Sequence, residues 1–327
     1  MYDLIIAFLI TFVLGCVFAP LVIYIAKKAG ARQRILEYVS LHQNKQGTPT
    51  MGGLIFLLPA SVIVCFFLKD QFHFALVAIG TMLSFGLLGF LDDFIKVRTH
   101  KNLGLRAYQK IVGQVGIGVI VAIFVWQYIG PQLKLGGIQL NFGWGIIPFT
   151  IFVLLAMTNA SNLTDGLDGL AGWTSFIMLI GLSVVLQISI LSESAAGSSL
   201  NEIAELKNLQ LISVCCAGGL LAFLCFNSYP AKIFMGDTGS LALGGIISIL
   251  AILSRHTLLL PILSLVFVVS ALSVVIQVLH YKRTKRRIFL MAPLHHHFEK
   301  KGVNESKIVV IYIIATIISV LVAILLC

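Results

Sequence analysis

The chain is a succession of long apolar runs separated by short polar loops. Ten runs, at residues 3–26, 51–68, 74–91, 111–128, 145–161, 169–191, 209–226, 238–254, 258–279 and 308–326, have the length that crosses a hydrocarbon core of about 30 Å. Apart from Asp3, at the extreme end of the first, none of them contains Asp, Glu, Lys, Arg or His. The first run follows Met1, Tyr2 and Asp3 without a basic stretch or a cleavage site, which predicts a retained helix and not a signal peptide. Short alternating runs on either side of a Gly-Gly pair in segment 132–144 predict a small hairpin. Segment 192–208 is polar and predicts a short helix between two spans. No linker or repeat divides the chain. The pattern is that of an all-α, polytopic membrane protein with ten transmembrane helices, forming one domain over 1–327.

Composition strengthens this picture. Hydrophobic residues make up 58% of the chain and charged residues 11%, with a mean hydropathy of +1.00. A soluble domain needs a larger polar shell than that. If the loops are numbered alternately from the outside, 27–50, 92–110, 162–168, 227–237 and 280–307 share one side and hold 19 of the 23 Lys and Arg residues. That bias predicts that this side is cytoplasmic and that both termini are extracytoplasmic. The net charge of +10 then reflects topology and attraction to anionic lipid and phosphate, with no nucleic acid as partner. The six cysteines lie in or at the ends of apolar runs without zinc-type spacing, as packing residues do.

Candidate chemistry concentrates on the cytoplasmic side. Those loops hold Glu37, Asp92, Asp93, Asp165, Asp168, Asp237, Glu299 and Glu305, and six of the eight histidines. Ion-coupled transporters need ionisable groups at membrane depth, so their absence there favours an interfacial enzyme over a transporter. Asp92 and Asp93, in GFLDDFIK (89–96), need a cation or a shared proton to relieve their repulsion. As helical neighbours they point about 100° apart, which predicts different roles and not joint ligation of one ion. In NLTDGLDGLAG (162–172), Asn162, Asp165 and Asp168 recur every three residues and would share a helical face, or one of the two acids would cap the next span. In FMGDTGS (234–240), Asp237 stands between glycines with Thr238 and Ser240 at a helix start, an arrangement suited to phosphate, beside an exposed Phe234 able to stack on a base. The run PLHHHFE (293–299) suits a phosphate or diphosphate contacted by one or two rings better than a metal, and the basic run 282–287 precedes it. Stretch 42–53 adds Lys45, Thr50 and paired glycines.

Together these stretches resemble the phospho-N-acetylmuramoyl-pentapeptide-transferase family (the MraY translocases), within the polyprenyl-phosphate N-acetylhexosamine-1-phosphate transferases. GFLDDFIK, NLTDGLDGLAG and FMGDTGS are similar to the superfamily's motifs, and TPTMGG and PLHHHFE to those of the muramoyl branch. The resemblance covers the chain from first span to last. It implies transfer of phospho-N-acetylmuramoyl-pentapeptide from its UDP carrier to undecaprenyl phosphate, giving lipid I and UMP, with Mg2+ required and a homodimer expected in a bacterial inner membrane. It also implies that Asp92, Asp93 and Asp237 are the essential acids, that Asp237 holds the magnesium, and that His296 and His297 line the phosphate site. Lys45, Thr50, Asn162, Asp165, Asp168, Asn227, Phe234 and Gln277 would line the nucleotide-sugar pocket. Either Lys96 or Lys110 would meet the diphosphate. The sister enzyme acting on UDP-N-acetylglucosamine is the near alternative, and the PLHHHFE run speaks against it.

Overall fold

The structure, a computed structural model, describes residues 2–31, 45, 47–68, 71–99, 104–136 and 138–327. Of the sequence features above, Glu37, residues 42–44 and 46 of the 42–53 stretch, and Gly137 of the hairpin's glycine pair lie outside the described residues. The apolar runs become helices because a helix satisfies every backbone donor and acceptor within one segment, as an apolar medium demands. In chain order they are α1 (Tyr2–Lys28), α2 (Leu54–Phe67), α3 (His73–Thr99), α4 (Ala107–Phe124), α5 (Ile146–Thr164), α6 (Leu170–Ala195), α7 (Leu200–Asn227), α8 (Gly236–Leu253), the single turn α9 (Leu260–Leu263), α10 (Leu265–Thr284), α11 (Leu294–Lys300) and α12 (Glu305–Leu325). Many hydroxyls inside them are satisfied by the preceding turn; Thr158 Oγ1, for example, donates to the Leu154 carbonyl at 2.8 Å.

Nine of these helices, among the described residues, are long and apolar enough to cross a membrane. The expected span at 51–68 is the exception. Its helix, α2, has 14 residues and so a length of only about 21 Å. The chain before it is drawn into the functional site and does not form helix. The short helix expected at 192–208 is likewise absent. Instead α6 runs on to Ala195, and α7 starts at Leu200, capped by Ser199 accepting from Glu202 N.

The core is built around α7 and α8, the two most buried candidate spans. α8 is rich in Gly, Ala and Ser, which lets α3 and α5 pack closely on it. At the end of the bundle away from the Asp237 turn, strands β1 (Gln132–Leu135) and β2 (Ile138–Asn141) form the predicted antiparallel hairpin, with Gln132 opposite Asn141. Lys134 N donates to the Arg255 carbonyl at 2.8 Å and fixes the hairpin to the end of α8. A polar cavity of about 300 Å³ lies there. Lys134 pairs there with Glu193 and Arg255 with Glu202, while Glu205 accepts from His73 N and Phe74 N. The opposite end gathers the last turns of α3 and α5 and the first turns of α8 and α12. α8 has 18 residues, so its two ends are about 27 Å apart.

Candidate active site

Backbone contact between motifs creates the site. A Cβ added at Gly89 of α3 would overlap the Asp237 carbonyl and stand 2.6 Å from Thr238 N, so only glycine lets α3 lie against the first turn of α8. A Cβ at Gly53 would overlap Gly239 in the same way. Gly52 N donates to the Phe234 carbonyl (2.8 Å), Gly53 N to the Met235 carbonyl (3.0 Å) and Phe234 N to the Pro49 carbonyl (2.8 Å). TPTMGG, GFLDDFIK and FMGDTGS are thereby one unit, though they lie far apart in the chain.

Three carboxylates meet inside this unit. Asp92, Asp93 and Asp237 each present an oxygen within 4.8 Å of the others. Asp93 is held by three donors, Asp237 N (3.2 Å) to Oδ1, and Thr238 N (2.9 Å) and Thr238 Oγ1 (2.7 Å) to Oδ2. Asp92 Oδ1 accepts from Leu105 N at 2.8 Å. Asp237 Oδ1 accepts from Asn162 Nδ2 (2.7 Å), and its Oδ2 takes both Lys96 Nζ (3.0 Å) and Lys110 Nζ (2.5 Å). Lys96 Nζ also stands 2.5 Å from Asp92 Oδ2. Asp237 is the most open acid, its side chain 14% exposed against 2% for Asp92 and 4% for Asp93. Two lysines face three carboxylates, which leaves a net negative charge. Helical divergence separates Asp92 from Asp93 less than expected, because both flank α8.

A second group borders the first. Lys45 Nζ contacts Asp168 Oδ1 (2.8 Å) and both carboxylate oxygens of Glu305 (2.6 and 2.7 Å), 5.6 Å from the centre of the Tyr229 ring. Asp168 Oδ2 accepts from Ala231 N at 3.0 Å. Thr50 Oγ1 stands beside Gly236, 2.8 Å from where a Cβ would be. The Asn227 side chain spans Gly169 N (3.0 Å) and the Ile233 carbonyl (2.9 Å), and so braces the 165–169 loop against the 228–235 segment. Gln277 braces in the same manner, its amide engaged with the backbone of Ile288 and Phe289. The histidines separate along α11. The Nε2 atoms of His295 and His296 lie against Gly166, and His296 Nδ1 meets Glu299 Oε2 at 2.9 Å. His297 Nδ1 instead accepts from Leu290 N at 3.0 Å.

Three local expectations are corrected. Asn162, Asp165 and Asp168 do not share a helical face, because α5 ends at Thr164. Neither acid caps α6; the capping position is Gly169, in a left-handed conformation without a side-chain bond, and Asp168 is turned toward Lys45. Phe234 is half-buried and not exposed, since its backbone is paired with residues 49 and 52. Asp165 lies in the same loop. Burial, reinforced by the charges of Asp237, Asp93 and Asp168, pushes its carboxyl up to about 8.

The profile of glycosyl transferase family 4 matches residues 75–255, and signature 1 of the phospho-N-acetylmuramoyl-pentapeptide-transferases matches residues 45–57. A phospho-N-acetylmuramoyl-pentapeptide-transferase of Desulfitobacterium hafniense (strain DSM 10664 / DCB-2) is 42% identical over 319 residues, 95% of this chain and 92% of the relative. The chain belongs to the phospho-N-acetylmuramoyl-pentapeptide-transferase family. A relative of that name in Clostridium perfringens (strain 13 / Type A) is 38% identical, covering 97% of this chain and 96% of its own length. Another, in Desulforudis audaxviator (strain MP104C), is 41% identical, covering 94% and 92%.

The acid centre has the chemistry of a divalent-cation site, with three carboxylates converging on one point. Mg2+ takes oxygen ligands from one or two carboxylates and fills its shell with water and phosphate. Asp92 Oδ2 is buried and faces the Lys96 ammonium at 2.5 Å, with Lys110 at 3.5 Å, so a positive charge already stands where a metal cation would sit. Sequence reasoning missed Glu305 and Thr238 as partners of named site residues. Glu305 had stood only among the cytoplasmic acids, and Thr238 only as a hydroxyl inside FMGDTGS.

Proposed function

We propose that this protein transfers phospho-N-acetylmuramoyl-pentapeptide from UDP-N-acetylmuramoyl-pentapeptide to undecaprenyl phosphate, forming lipid I and UMP for peptidoglycan synthesis. The observation that carries the reading is the union of the family's motifs around Asp92, Asp93 and Asp237, with Lys96 and Lys110 on the open acid. A phosphate oxygen of the lipid attacks the sugar-proximal phosphorus; the bond from that phosphorus to the bridging oxygen breaks, and UMP leaves with the electron pair. Asp237, with Asp92 beside it, would hold a magnesium ion, which when bound would supply charge neutralisation for the diphosphate. Lys96 and Lys110 exchange Asp237 for the incoming phosphates and hold them in line. Both oxygens of Asp93 are occupied by donors, which makes it a positioning group and a poor nucleophile. This favours direct attack over a phospho-aspartate intermediate. The lipid phosphate, whose second pKa is about 6 by analogy with phosphorylated side chains, is already ionised at neutral pH.

The site works at the cytoplasmic face of the bacterial inner membrane, where a soluble polyanion and a lipid phosphate can meet. The protein crosses ten times, counting α2, has both termini outside, and acts as a homodimer. The split of Lys and Arg between loops supports this orientation. Labelling of single cysteines at Ser198 and Lys285 tests it, and reaction from the same side would refute it. For the reaction, purified protein is given Mg2+, undecaprenyl phosphate and each UDP-sugar in turn, and UMP is measured. Release with UDP-N-acetylglucosamine alone would assign the sister activity instead.

A further inference from the structure

Glu305 opens α12, yet that helix does not need it as a cap, because the Asn304 side chain already accepts from Ser306 N at 2.9 Å. An acid in a first turn is favoured by the helix dipole while remaining in solvent. This one turns inward, its side chain 11% exposed. Both oxygens hold Lys45 Nζ, and Oε1 also accepts from Asp168 N at 2.7 Å. Asp168 is pinned by Ala231 N, and Glu305 by Asp168 N. The two carboxylates therefore form a fixed fork, and the lysine, on a long flexible stem, is the part that must be placed.

We infer that Glu305 is a positioning residue for nucleotide-sugar binding, which sets the Lys45 ammonium against Asp168 and ties α12 to the 165–169 loop. The inference rests on the proposed function for its substrate. Two carboxylates share one ammonium, so the fork keeps a net negative charge. It would repel a diphosphate and suit an uncharged edge carrying both a donor and an acceptor. The phosphates are left to Lys96 and Lys110. Charge-assisted hydrogen bonds of this kind lose much of their strength when the acceptor becomes neutral.

Glu305→Gln keeps the shape and an acceptor for Asp168 N while removing the charge that holds Lys45. It raises the KM for the UDP-sugar about 10-fold, leaves the lipid KM within about twofold and kcat within about threefold, and Glu305→Asp recovers part of the loss. In a Lys45→Met background the same substitution changes the UDP-sugar KM less than about twofold. A full effect of Glu305→Gln in that background, or a fall in kcat with KM unchanged, overturns the inference. Wild type, Glu305→Gln, Lys45→Met and the double variant are melted in detergent without substrate. Non-additive losses of Tm support the fork, and additive ones overturn it. If the wild-type protein releases no UMP, the proposed function fails while the melting cycle still decides the role of Glu305.

Discussion

Gly89→Ala separates the geometry of the site from the stability of the fold. The added Cβ would stand 2.6 Å from Thr238 N and overlap the Asp237 carbonyl, whereas ordinary contacts start at 3.4 Å. α3 must therefore withdraw from α8 by about 1 Å, a misplacement that costs about 100-fold in rate when reacting groups are held in register. The withdrawal carries Asp92, Asp93 and Lys96 away from Asp237 together, because all three ride on α3. Stability changes less. Overpacking costs about 1–3 kcal/mol, and Ala regains about 1 kcal/mol of helix propensity over Gly. The expected product is a folded protein with turnover reduced about 100-fold. UMP release and thermal melting in detergent are measured on Gly89→Ala and on Gly80→Ala, which lies on the same helix with nothing within 4 Å of an added Cβ. Turnover of Gly89→Ala above about a third of wild type, with Gly80→Ala normal, would refute the close-contact reasoning.

Asp237→Asn keeps the shape of the most open acid and removes its charge; UMP release falls below detection, while binding of a uridine-containing inhibitor stays within about an order of magnitude. Near-normal turnover would move the metal to Asp92 or Asp93. Lys110→Met removes an internal counter-ion from Asp237, so Mn2+ binding measured by electron paramagnetic resonance tightens without nucleotide, while binding of the UDP-sugar weakens. Unchanged metal affinity would mean that the lysine and the metal do not compete. Asp165, raised to about 8 in the folded protein from about 3.9 unfolded, keeps its proton where the unfolded chain has released it. It therefore lowers stability progressively as pH rises from about 4 to about 8 in metal-free buffer. Asp165→Asn removes that contribution, so its Tm gains on wild type across this window; a constant difference would show that Asp165 is ionised throughout.

The motifs were legible because chemistry-bearing residues stood out against spans free of charge. Asp92, Asp93, Asp237, Lys96, Lys110 and Asn162 all fall within one acid centre. Hydropathy could not rank the helices, because a side chain against lipid and one against protein are equally apolar. α8 is almost wholly enclosed and α10 largely open, at similar hydropathy. The end of α5 at Thr164 and the capping by Gly169 depend on Asp168 being claimed by Lys45 and Ala231 N, partners remote in sequence. Glu305 looked like an ordinary loop acid for the same reason: its partner is 260 residues away.

That separation has a consequence for biogenesis. A ribosome adding about 5–20 residues per second needs roughly 13–52 s to travel from Lys45 to Glu305, 260 residues later. Late in that interval the three-acid centre can assemble once α8 inserts, but Lys45, which gains Asp168 after 123 residues, still lacks Glu305. The nascent chain is therefore unable to complete the fork proposed to bind the nucleotide-sugar until α12 enters the bilayer. A polypeptide stalled or cleaved before α12 would carry the three acids and the Lys45–Asp168 pair without the second carboxylate that fixes that lysine.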